Sequence, residues 1–145
     1  MSNNKFLELT EEIREYNIIC VTETQQREEK FNHLKDNIQI TSSHRGKEDM
    51  KGGGLMIINV KENITVEKLH SDHPDVLYVE MAIAKYKFRI VLVYMASGNE
   101  PVKIERNIQI KKCIESKIEE SKELNEDLMV LGDFNGHIRF LGAQQ

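Results

Sequence analysis

Asp127-Leu-Met-Val-Leu-Gly-Asp-Phe-Asn-Gly-His-Ile138 carries an acid, an amide and an imidazole from one short apolar run onto a turn bracketed by glycines. The run Leu128 to Leu131 is continuous rather than alternating, which predicts a strand buried on both faces. Gly132 is expected to end that strand. Asp133, Asn135 and His137 would then stand at its carboxyl end, where open α/β sheets usually bind ligands. An alternative stays open at this point: a turn in which Asp133 and Asn135 bond only their own backbone.

Upstream, Phe6, Leu9, Ile13 and Tyr16 recur at helical spacing among acids, and predict an amphipathic helix over 6–16. Ile18 to Val21 reads as a buried strand ending at Thr22-Glu23-Thr24. Alone, Glu23 reads as a surface acid at a strand-to-loop junction. A short helix is expected over 25–34, with Phe31 and Leu34 inward, and then a strand at Ile38 to Thr41. Ser42 to Lys51 is a polar loop whose His44, Arg45 and Lys47 are expected to be solvated. Gly52-Gly-Gly54 lacks the spacing of a phosphate-binding loop and implies close backbone packing or a bulge, before a buried strand at Leu55 to Val60.

Ile64 to Leu69 alternates, and Val76 to Ile83 places Leu77, Val79 and Met81 on one face. Ser71 to Asp75 between them carries turn chemistry, which predicts a hairpin. Ser71-Asp-His73 looks like a catalytic triplet but occupies the turn. Phe88 to Met95 is a further strand, with Tyr94 as an amphipathic plug at its end. Ser97 to Pro101 leads into a helix reaching about Leu124. Its inner face is expected at Ile104, Ile108, Cys113, Ile114 and Ile118, and its solvated face at Glu105, Lys111, Lys112, Glu115, Lys117, Glu119 and Glu120.

With 145 residues and 39% hydrophobic content, the chain supports one domain. No apolar run approaches bilayer-spanning length and no signal peptide is visible, so an intracellular address without membrane association is expected. Cys20 and Cys113 are expected as reduced, buried thiols. The net charge is -4 and no third of the chain is basic. That denies a broad footprint for nucleic acid without excluding a nuclease whose carboxylates hold cations.

The order of elements implies an α/β sandwich with Glu23, Tyr94, Asp133 and Asn135 at carboxyl ends of strands. An acid, a phenol and an Asp-x-Asn turn from three strands suit a hard cation and a phosphate ester. Such carboxylates, Glu23 and Asp133, fit magnesium (Mg2+, or Mn2+).

Ile18-Ile-Cys-Val-Thr-Glu23, Gly52-Gly-Gly-Leu-Met-Ile57, Val91-Leu-Val-Tyr94 and Leu131-Gly-Asp-Phe-Asn-Gly-His137 occur in the order found in the endonuclease/exonuclease/phosphatase superfamily. Within it, the chain most resembles the endonuclease domain of LINE-type non-LTR retrotransposons, and Ile138-Arg-Phe-Leu-Gly142 looks like the arthropod-type versions. The resemblance implies a partial four-layer α/β sandwich, with mixed sheets flanked by helices. It implies that Glu23 binds the metal, Asp133 orients or deprotonates the attacking water, Asn135 binds the scissile phosphate, and Tyr94 hydrogen-bonds it from the side. DNA is the implied partner and a nucleus the implied location for a retained retrotransposon function.

The chain departs from that pattern in lacking the first-strand Asn and the later Asp and Ser-Asp-His, and in following Tyr94 with Met95-Ala96 where proline is usual. The expectation is a single, incomplete domain over 1–145. It would be a magnesium-dependent DNA endonuclease fragment of retrotransposon origin, weakly active or inactive as it stands. The alternatives are a non-catalytic binding or structural module on the same fold, and a phosphatase-like hydrolase. An exposed sheet edge at Leu128 to Leu131, inviting homo-oligomerisation, is also expected.

Overall fold

The computed structural model describes residues 16–25, 38–49 and 51–136. The helices expected over 6–16 and 25–34, and His137 with all that follows it, lie outside those residues apart from Tyr16 and Gln25. The described elements are β1 (Ile18–Thr22), β2 (Gln39–Ser43), β3 (Leu55–Asn59), β4 (Ile64–Lys68), β5 (Val76–Ile83), β6 (Tyr86–Tyr94), α1 (Pro101–Leu124) and β7 (Asp127–Asp133). They make two sheets, ordered β1-β3-β2 and β4-β5-β6-β7. The first is antiparallel, and the second becomes mixed where β7 pairs parallel to β6.

The sheets face each other across one apolar layer. Alternation puts Leu55 and Ile57 of β3 opposite Ile64, Val66, Leu77, Val79, Met81, Ile90, Leu92 and Tyr94. The far face of the second sheet gives Val76, Tyr78, Val91 and Val93 to a second cluster with Ile110 of the helix. The described residues thus stack as sheet, sheet, helix, an α/β sandwich. Cys20 and Cys113 are free and half-buried.

Three expectations are corrected. β1 and β7 are half-buried rather than buried on both faces, because each is the edge strand of its described sheet. Gly132 does not end its strand; it lies inside β7, opposite Val93. The inner stripe of α1 runs through Arg106, Asn107, Ile110, Cys113, Ile114, Lys117 and Ser121, whereas Ile104 and Ile108 are exposed.

The stripe of α1 begins and ends in polar groups, so apolar spacing alone misplaces it by part of a turn. At its start Asn107 exchanges hydrogen bonds with the backbone of Ala96, at 3.0 and 2.9 Å. Further along, the Lys117 ammonium lies 4.8 Å from the Tyr78 ring centroid, and Glu120 accepts from Arg89 at 2.9 Å. Lys117 and Glu120 are therefore docking residues and not members of a solvated face. Pro101 starts the helix, and Asn125 closes it in the left-handed conformation at φ 53°.

Candidate active site at the strand ends

β1, β6 and β7 terminate at Thr22, Tyr94 and Asp133, and β1 crosses from the first sheet to touch β6 and β7 of the second. Beyond β1 the chain stays tied to the triple glycine: Thr24 N–H donates to Gly54 O at 3.2 Å and Gln25 N–H to Gly53 O at 2.9 Å. Glu23, between them, is exposed and held in the left-handed region at φ 55°. Non-glycine residues enter that region at a cost, and such residues cluster at functional sites.

The Tyr94 ring is buried in the inter-sheet core, and its hydroxyl lies within the influence of Glu23. Burial, hydrogen bonding toward Glu23 and the charges of Glu23 and Asp133 push its phenol up to about 12, while Arg45 opposes them. Tyr94 is therefore a neutral hydrogen-bond donor throughout the physiological range. Tyr94 and Asp133 are register partners, and Met95 N–H continues the ladder to Asp133 O at 2.8 Å.

The turn after Asp133 is self-bonded. Asn135, at φ 42°, donates its N–H to Asp133 Oδ1 at 3.0 Å, and its Nδ2 donates to Met95 O at 2.5 Å. Each group keeps capacity for a ligand: Asp133 has a second carboxylate oxygen and Nδ2 a second hydrogen. The structure thus brings Glu23, Tyr94 and Asp133 together and stitches Asn135 to the same strand end.

Behind this cluster lies a set of charges that sequence reading missed. Arg45, expected in solvent, is 2% exposed and pairs with Asp75, 0% exposed, through Nε to Oδ1 and Nη2 to Oδ2, both at 2.8 Å. Its Nη1 donates to Lys51 O at 2.9 Å. Arg106 of α1 reaches the same Asp75 at 2.6 Å and forks onto Asp49 at 2.9 and 3.0 Å. The triple glycine makes the space: a Cβ on Gly53 would lie 2.5 Å from Arg45 Nε and 2.9 Å from Asp75 Oδ1. The only sequence signal was those glycines, read as close packing without a partner to name.

Ser71 to Asp75 is a turn, as expected, and its histidine is structural. His73 Nδ1 accepts from Asp75 N–H at 3.0 Å. Burial lowers the His73 pKa from the usual 6.5, against the pull of Asp75 and with the help of Arg106 and Arg45. Its folded pKa lies below its unfolded one, so its stabilisation is full above about pH 6.5 and is lost as pH falls. Urea midpoints should drop between pH 7.5 and 5.0 by more in the parent than in His73→Asn. That variant keeps an acceptor for the Asp75 N–H in an Asx turn and does not titrate. Equal drops would refute the assignment.

No protein-family profile matches the sequence, and no curated protein matches it. Solved structures do match. The human Nocturnin catalytic domain superposes with a TM-score of 0.64 at 13% identity, over 94% of this chain and 58% of that one. D. rerio TDP2, complexed with a single strand DNA product, gives 0.58 at 14%, over 92% and 53%. The endonuclease domain of TRAS1, a telomere-specific non-LTR retrotransposon, gives 0.53 at 14%, over 90% and 52%.

The chain has the endonuclease/exonuclease/phosphatase fold. It spans somewhat over half the length of these three relatives of that fold. The endonuclease/exonuclease/phosphatase arrangement expected from the four sequence motifs is therefore the one found, with one helix among the described residues. Among those residues no three His, Cys, Asp or Glu side chains converge as a metal cage. Two carboxylates at one strand-end cluster are a donor set that suits a hard divalent cation keeping part of its water shell. No described helix is long and apolar enough to cross a membrane.

Proposed function

We propose that this chain is a phosphodiester-binding part of a magnesium- or manganese-dependent DNA endonuclease of non-LTR retrotransposon origin, with at most slow hydrolysis by the chain alone. The observation that carries the reading is the pairing of Tyr94 with Asp133 at the ends of β6 and β7, where β1 crosses to bring in Glu23. Three strands from two sheets deliver an acid, a neutral donor and a second acid to one place. Glu23 and Asp133 would hold the ion, which when bound neutralises charge developing on phosphoryl oxygens. Asp133 accepts a proton from, or orients, water at its free oxygen. Tyr94, fixed as a donor, and the second Nδ2 hydrogen of Asn135 face the phosphate oxygens with neutral hydrogen bonds. DNA as the substrate rests on the motif resemblance, and a nuclear location follows from that reading.

Magnesium titration followed by NMR should perturb Glu23 and Asp133 together, and Glu23→Gln should weaken binding about tenfold or more. Identical titrations of variant and parent would sink the metal assignment. Plasmid nicking by the parent should be slow and should disappear in Asp133→Ala. Fast nicking insensitive to that change would place the chemistry elsewhere.

The outer edge of β7 carries a further part of the proposal, self-association. β7 pairs only with β6 among the described strands, and Met129 is 49% exposed. A groove of about 530 Å³ beside it is lined by Ile118, Ser121, Leu128 and Val130 among others. Open edges of this kind template pairing with another chain. Light scattering should show concentration-dependent dimers that Met129→Lys suppresses; a strict monomer at all concentrations would contradict this.

A further inference from the structure

We propose that Arg45 is a positioning residue for Tyr94, a planar buried cation that Asp75 holds against the tyrosine ring so that the phenol keeps one orientation toward Glu23. The proposal deepens the proposed function and rests on Tyr94 being the phosphate-side donor.

The geometry comes from four directions. Arg45 Cζ lies 5.7 Å from the centroid of the Tyr94 ring, within cation–π range. The guanidinium cannot rotate away, because its two-point pairing with Asp75 and its bond to Lys51 O occupy Nε, Nη1 and Nη2. Asp75 is fixed in turn by Arg106 and has no exposure. Asp75 also reaches Tyr94 through the backbone, its carbonyl accepting the Tyr94 N–H at 3.1 Å. One residue thus anchors both the strand end that carries the phenol and the cation that lies over its ring.

A buried pair adds little net stability compared with apolar groups of the same volume. A buried arginine is therefore an expensive way merely to fill this space. Its planarity and charge do something an aliphatic side chain does not. They hold a ring whose hydroxyl must meet a carboxylate, and they offset part of the negative field of Glu23 and Asp133 on that hydroxyl. Lysine would supply the charge without the plane or the fork.

The test places 3,5-difluorotyrosine at position 94 and reads the ring by 19F NMR. In the parent background the two fluorines should give separate signals, because the ring is held in one orientation. A single averaged signal there overturns the proposal without any variant. In Arg45→Met combined with Asp75→Leu, which removes both charges together, the two signals should merge. Two unchanged signals in that folded variant also overturn it. This readout needs no hydrolysis. Failure here with an intact magnesium response at Glu23 would reject the role of Arg45 alone, and the reverse result would reject the proposed function alone.

Discussion

Asp75→Ala is expected to destabilise the chain by about 3–5 kcal/mol, a large fraction of the stability of a domain of this size. Asp75 has no exposure and takes Arg45 on both oxygens and Arg106 on one. Its loss takes from Arg45, at 2% exposure, the acid of its two-point pairing and leaves less negative charge in the interior to offset the guanidinium. Arg106 is better placed, because its fork onto Asp49 survives. The size of the effect thus comes from a buried cation that loses its paired acid. Replacing Arg45 and Asp75 together by Met and Leu should recover most of the loss. Asp72 supplies the control: its pairing with His70 is 83% exposed, and exposed pairs contribute about 0–1 kcal/mol. Urea denaturation of the two alanine variants decides it. An Asp75→Ala midpoint as mild as that of Asp72→Ala would mean that water or a rearranged carboxylate reaches Arg45.

The same residues show where sequence reading succeeds and where it stops. β3 and β5 were legible because burial writes itself into a strand as a run or an alternation. Leu77, Val79 and Met81 fall on the inter-sheet face as their spacing required. β7 has the same apolar run as a central strand, yet its burial depends on neighbours that a local pattern does not contain. The stripe of α1 was misplaced for a related reason. Its first inward residues are Arg106 and Asn107, which face Asp75 and the Ala96 backbone, so the apolar count was drawn to the exposed Ile104 and Ile108 instead.

At the candidate site the legible part was each strand-end residue taken singly. Glu23, Tyr94 and Asp133 announce themselves as polar groups ending apolar runs, and the structure brings them together. The charges behind them were invisible because the partners are remote: Arg45 to Asp75 spans 30 residues and Arg106 to Asp49 spans 57. A lone arginine in a polar loop carries no sign of the acid that will bury it. The glycines beside it mark a space without saying what fills it.

Gly132→Ala is expected to be the most damaging single-methyl change in the described chain, at about 3 kcal/mol or more. Gly132 has φ +142°, a conformation closed to side chains, and it lies directly against its register partner. A Cβ there would sit 2.0 Å from Val93 O, 2.8 Å from Val93 C and 2.9 Å from Val93 N. All three are backbone atoms of a buried strand, so no side chain can swing aside to relieve the clash. The parallel pairing of β6 and β7 must open at that point. The next pair in the register is Tyr94 with Asp133, so the first consequence of opening falls on the acid of the candidate site. Gly136 is the matched control: among the described residues a Cβ there would meet only Phe134 O, at 3.8 Å. Gly136→Ala should change stability by less than about 1 kcal/mol and leave the magnesium response of Asp133 in place. Gly132→Ala should lower the urea midpoint sharply and, in whatever fraction stays folded, abolish that response while sparing the signals of β4 and β5. A Gly132→Ala protein that unfolds with the parent would show that β6 and β7 tolerate a side chain between them.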